Sequence, residues 1–276
     1  MTAARKIPPV YYLKFLGGGV IGNIGWCFFA FGMLLFWALH VPASVRELVV
    51  FSGRTDTVSG IVSSVDETNM AVNDEVVHLV RFTYLVAGNE FKGISYLRYR
   101  PEPTSSVTVE YIVTSPQLAR IEGGSYTPFG GVALAAAIFP LLGLIMVIFP
   151  LYGNVRRLRL MRYGQVAQGR LEKAEDTNMS VDEETVVRFR FVFEDTQGRQ
   201  HRLVYRTHET ERITDDKKEA ILYFAHKPAV ACLVDALPGN TKLQGDGVVQ
   251  FHAAFSWNDL LAPVMIVLAL LPAFFV

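Results

Sequence analysis

Two ten-residue segments hold the densest chemistry in this sequence. They read Asp66-Glu67-Thr68-Asn69-Met70-Ala71-Val72-Asn73-Asp74-Glu75 and Glu175-Asp176-Thr177-Asn178-Met179-Ser180-Val181-Asp182-Glu183-Glu184. Side-chain oxygens at this density could hold a hard cation such as Ca²⁺. Neither segment has EF-hand spacing or its glycine pivot, so no tight Ca²⁺ site is expected. The same composition suits a turn whose Asp and Asn side chains bond their own backbone. It also suits an exposed edge that a protein recognises. Thr68, Asn69, Met70, Asp74, Glu75, Thr177, Asn178, Met179, Glu183 and Glu184 are therefore the candidate partner-binding residues.

Other chemistry is sparse. His40, His78, His201, His208, His226 and His252 fall in no metal-ligand spacing, and His78 reads as a core histidine. Cys27 and Cys232 read as packed thiols. There is no Gly-x-Ser-x-Gly, no P-loop and no dinucleotide fingerprint. No catalytic, metal-ligating or cofactor-binding residue is expected, and the chain reads as non-enzymatic. Arg156, Arg157, Arg159 and Arg162 lie in VRRLRLMRYG. They suit anionic lipid headgroups, or act simply as a topology signal.

The two oxygen-rich segments belong to one module written twice. Residue 60 placed over 169 aligns SGIVSSVDETNMAVNDEVVHLVRFTYLV with QGRLEKAEDTNMSVDEETVVRFRFVFED. Gly60 falls on Gly169, Thr68-Asn69-Met70 on Thr177-Asn178-Met179, Arg81-Phe82 on Arg190-Phe191, and Tyr96 on Tyr205 without a gap. After a short insertion, Tyr111 and Pro116 fall on Tyr223 and Pro228. Each copy alternates as a half-buried strand does. Val76, His78, Val80, Phe82, Tyr84 and Val86 share one face. Val187, Phe189, Phe191 and Phe193 share the matching one, with Arg188 and Arg190 pointing away. Gly88-Asn89 and Gln197-Gly198 are hairpin signals. About five short strands in roughly 70 residues predict a small antiparallel barrel, since closure removes exposed edges.

Three apolar stretches surround these modules: Gly17–Val41, Phe129–Tyr152 and the last residues from Leu260. Each is close to the ~20 residues that cross a bilayer. The first is too long for a signal-peptide core. They concentrate an apolar excess: 51% hydrophobic, 19% charged, mean hydropathy +0.27. The spans lack mid-depth ionisable groups of the kind transporters use. Gly18-x-x-x-Gly22 and Ala133-x-x-x-Ala137 permit close helix contact. Net charge is zero, which argues against a nucleic-acid binder.

Basic residues set the expected orientation. Arg5, Lys6 and Lys14 precede the first span, and the arginine run follows the second. The expected organisation is a cytoplasmic segment 1–16, a span 17–41, an extracytoplasmic barrel repeat 42–128 and a span 129–152. A cytoplasmic barrel repeat 153–258 and a third span 259–276 complete it. A re-entrant hairpin at Pro140 and Gly143 is the competing arrangement; its arms would be too short for two crossings.

The module has a Gly in its first strand, an F-x-Y or F-x-F strand, then Val-x-Val-x-Tyr and a Pro. These are Gly60, Phe82, Tyr84, Val107, Val109, Tyr111 and Pro116, repeated as Gly169, Phe191, Phe193, Ile221, Tyr223 and Pro228. With flanking membrane helices, the module resembles a bacterial inner-membrane family known only as a domain of unknown function. The resemblance implies a multi-pass protein of the bacterial inner membrane and carries no activity. The fold class expected is membrane α + β, with three transmembrane helices and two homologous small antiparallel β-barrels. The function expected is binding of a protein partner as a sensor, scaffold or inhibitor, immunity-like in one form. The alternative is an accessory subunit of a transporter or channel. The expected partners are the lipid bilayer and an unknown protein, with room for a homo-oligomer and none for nucleic acid. No cofactor is expected.

Overall fold

The computed structural model describes residues 4–181, 184–207, 210, 218–238, 241–243 and 249–274. Glu183 and most of the charged insertion near 207–219 lie outside the described residues. The chain divides into two compact units. One holds residues 27–144 and 265–276, the other residues 1–26 and 145–264.

In the first of these units, five strands follow one another: β1 (Thr55–Val72), β2 (Glu75–Val86), β3 (Asn89–Leu97), β4 (Ser106–Ile112) and β5 (Ser115–Ile121). They pair in the order β3-β2-β1-β4-β5. Strands alternating in direction leave β3 and β5 parallel, so the sheet cannot close on an antiparallel ladder. Side chains and a bridge form the seam instead. The Ile121 N–H donates to Ser95 Oγ at 2.8 Å, and Tyr96 and Ser125 exchange backbone bonds at 2.7 and 3.1 Å. Val62, Val80, Phe82, Tyr84, Leu97, Val109 and Ile121 fill the interior. The Tyr84 hydroxyl donates to the Pro116 carbonyl at 2.6 Å; burial, with Tyr126 nearby, pushes its pKa up to about 12.

The other unit repeats the plan with β6 (Gln165–Val181), β7 (Glu184–Glu194), β8 (Gln200–Thr207), β9 (Glu219–Phe224) and β10 (Lys227–Leu233), ordered β10-β9-β6-β7-β8. The match extends to register. Gly60 pairs with Tyr84 and Gly169 with Phe193, and bulges interrupt β1 at Val62/Ser64 and β6 at Leu171/Lys173. The shared glycine has a packing cause. A Cβ at Gly60 would stand 2.6 Å from Val109 Cγ2 and 3.0 Å from the Thr83 carbonyl oxygen.

One alignment needs correction. The β2–β3 hairpin turns through Ala87 and Gly88, both at positive φ. The β7–β8 hairpin is one residue longer, closing Asp195 against Arg199 around Gly198. Tyr96 pairs with Leu79, and Arg206 pairs with Arg188. The counterpart of Tyr96 is therefore Arg206, and Tyr205 falls where the first sheet has Ser95.

Among the described residues, α1 (Pro9–Gly17), α2 (Gly19–Ala38), α3 (Val41–Phe51), α4 (Ile138–Tyr163) and α5 (Leu261–Leu270) are α-helical. The expected first span is shorter than 17–41, because Gly18 and Gly19 at positive φ and left-handed His40 break the chain on either side of α2. The second is longer than 129–152: a 3₁₀ turn at Gly130–Ala137 leads into α4, and Gly130–Tyr163 is helical for 34 residues. There is no turn at Pro140 or Gly143, as the re-entrant hairpin would need. The arginine run thus lies on a helix. Three segments are long and apolar enough to cross a membrane: Gly19–Ala38, Gly130–Tyr163 and Trp257–Phe274. Phe149, Trp257 and Phe274 stand more than four-fifths exposed, as lipid-facing side chains would. Cys27 is exposed as well, which corrects its reading as packed.

Candidate partner-binding surfaces

The oxygen-rich segments are not loops between short strands. β1 runs to Val72 and β2 starts at Glu75, leaving only Asn73 and Asp74 in the turn, both at positive φ. β4 reaches along β1 only to Ile61, and β3 along β2 only to His78. Thr68 to Val77 therefore form a two-stranded ribbon. Such a ribbon is marginal on its own, and a threonine braces each copy. The Thr68 hydroxyl donates to the Val77 carbonyl at 2.5 Å and accepts from the Met70 N–H at 3.3 Å. Thr177 does the same with Val186 at 2.6 Å and Met179 at 3.4 Å. The second bulge, at Glu67/Ala71 and Asp176/Ser180, recurs at the same place. Sequence reading missed this extension, because bulges break the alternation that marks a strand.

Within the ribbons, Asn69, Asp74, Glu75, Asn178, Met179 and Glu184 are exposed, while Thr68, Thr177 and Met70 are half-buried. The threonines are thus braces rather than contact residues. Asp66 pairs with Arg81, and Glu175 with Arg190 at 3.0 Å, so each ribbon base carries the same cross-strand ion pair. Among the described residues, no group of three or more His, Cys, Asp or Glu side chains gathers as a metal site.

The four arginines are not one cluster. Arg156 and Arg159 face a groove with Ile148, Tyr152, His226 and Lys227. Arg157 lines a polar cavity with Lys14, Asn23, Asn154 and Asp259. The Arg162 guanidinium lies over the Tyr163 ring at 5.3 Å. Arg5 has a role beyond its charge: it donates to the carbonyls of Met161 and Gly164 at 3.2 and 2.7 Å. It thereby caps the C-terminus of α4.

Two further ionisable groups, Asp195 and Cys232, read as structural. Asp195 is buried at the β7–β8 hairpin. The His201 bond at 2.9 Å and the N–H groups of Arg199 and Gln197 hold its carboxyl well below the usual range. Burial pushes the Cys232 thiol up to about 12, so it is a packed and unreactive sulfur.

No family model matches the chain, and no curated protein matches it. Among solved structures, it is similar at 9% identity to a chain of a replication protein A heterotrimer bound to ssDNA. The match covers 77% of this chain and 52% of that one, with a TM-score of 0.17. A likeness this weak carries no argument about fold or function.

Proposed function

We propose that this chain is a non-enzymatic integral membrane protein of the bacterial inner membrane that binds a protein partner through its two β ribbons. The observation that carries this reading is the repetition of the brace. Two copies that differ over most of their surface keep the same threonine, the same two bulges and the same exposed Asn. Val72, Val77 and Val186 are buried, but they stand apart from the clusters that fill the two sheet interiors, so those interiors do not require the brace. Photo-crosslinking tests it: a benzophenone side chain replaces Met70 or Met179 in the full chain, in native membranes. A discrete adduct at either site, absent with the label at Lys92, is expected. An adduct of twice the chain mass identifies a second copy as the partner, and no adduct at either site removes the proposal.

The sidedness proposed is an N-terminus and second repeat in the cytoplasm and a first repeat outside. Its support is parity, one unbroken helix separating the repeats, together with the basic flank after Tyr152. An impermeant thiol reagent on intact cells should label Asn73→Cys and spare Asn178→Cys, in a background lacking Cys27 and Cys232. Equal labelling of both would overturn it.

A further inference from the structure

On the outer face of the second sheet, Lys173, Arg188, Arg190, Arg202 and Arg206 line one surface with Glu172, and Glu175 pairs with Lys173 and Arg190 beside it. Strand register brings them together: Arg190 stands beside Lys173 on β6 and Val204 on β8, and Arg188 beside Glu175 and Arg206. The two carboxylates are already engaged. Glu175 pairs with Lys173 at 2.5 Å and Arg190 at 3.0 Å, and Glu172 with Arg202 at 3.3 Å. Among the described residues, Arg188 and Arg206 form no ion pair, and Arg188 Nε is buried without a hydrogen-bond partner.

Arg188 and Arg206 lie directly across from each other on adjacent strands. Like charges in that position destabilise a sheet. The first repeat shows that the fold does not require them. At the corresponding positions it pairs Leu79 with Tyr96, and Ser64 stands where the second repeat has Lys173. A local cost that one copy avoids and the other keeps marks a surface retained for binding.

We infer that this face docks an acidic, extended segment of a partner protein, an inference that rests on the partner-binding reading above. Arg188 and Arg190 are two residues apart on one strand, about 7 Å by strand geometry. That is also the repeat of same-side carboxylates on an extended peptide, and guanidinium forks take carboxylates two bonds at a time. Among the described residues, the lining has no aromatic ring on which bases could stack, and Val204 is its only apolar side chain, too little for an acyl chain.

The test uses the full chain in neutral-lipid nanodiscs. The probe is a fluorescein-labelled peptide of alternating glutamate and serine, read by anisotropy. The variant is Arg188→Leu with Arg206→Tyr, the pair the first repeat already accommodates. Saturable binding that weakens about tenfold or more in the variant, with an unchanged or higher unfolding midpoint, is expected. Equal binding by both proteins, or none by the wild type, overturns the site. Preference for phosphatidylglycerol vesicles or an oligothymidine over the peptide, with the same arginine dependence, overturns the ligand class. Ribbon crosslinks that persist in the variant while peptide binding fails confine the failure to this site. Their loss while the peptide still binds removes the ribbon proposal instead.

Discussion

Arg120→Ala should lower the unfolding midpoint of the full chain in detergent by about 10 °C. Within the unit that contains the first sheet, this guanidinium ties β4 and β5 to α3. Arg120 donates to Glu47 on α3 and to Glu110 on β4, both at 2.9 Å, and lies 4.2 Å above the Phe51 ring. Burial works against its charge, but the two carboxylates more than offset this and raise its pKa above the ordinary value. Glu47 is 7% exposed. Removing its partner leaves a buried carboxylate unpaired, which costs about 3–5 kcal/mol. At about 2–4 °C per kcal/mol for a chain of this size, that is the stated shift. Arg202→Ala is the control: its pair with Glu172 is 73% and 41% exposed, and such pairs contribute under about 1 kcal/mol. A double variant, Arg120→Met with Glu47→Gln, should recover most of the loss, because the buried Glu47 charge is then gone and the Glu110 carboxylate that loses its partner is 22% exposed. A midpoint unchanged by Arg120→Ala would show that α3 is held by its apolar contacts and the buried Ser44–Thr127 bond without the ion pair.

Lys14→Met should cost a comparable amount. Lys14 Nζ meets both Asp259 oxygens at 3.1 and 3.0 Å, and the two side chains are 18% and 9% exposed. Asp259 also accepts the Ser256 N–H at 2.8 Å, closing a capping box at the start of the third apolar segment. That bond satisfies one oxygen but does not neutralise the charge, so about 3 kcal/mol or more is expected. Lys14→Met combined with Asp259→Asn keeps a side-chain oxygen for the cap and removes the charge. It should restore most of the stability. If the single variant unfolds like the wild type, the pair is solvated and contributes no more than a surface ion pair.

The two repeats make the same kind of contact by different means. On the outer face of β4, Glu110 meets Arg120 and so reaches α3. The matching residue on β9 is Leu222, fully buried with Tyr11, Phe15, Leu160 and Met161 from α1 and α4. Strand β9 is thus covered on both faces, which explains its unbroken apolar run AILYF.

The sequence by itself determined the duplication, the five strands per copy and the three apolar segments. These rest on local periodicity and on identities held in one register, both of which survive without tertiary context. The ribbons did not show as strands, because the bulges at Glu67/Ala71 and Asp176/Ser180 shift the alternation. The one-residue difference between the hairpins was hidden as well, since Tyr96 over Tyr205 is a tempting identity; only strand pairing sets Arg206 against Arg188. The pairs Lys14–Asp259 and Arg120–Glu47 lie 245 and 73 residues apart, and no local pattern announces them. The arginine face was half legible: Arg188 and Arg190 read as outward from β7 alone. The strands beside them, which bring Lys173, Arg202 and Arg206 to the same surface, are chosen by backbone pairing, and charge in the sequence carries no record of that choice.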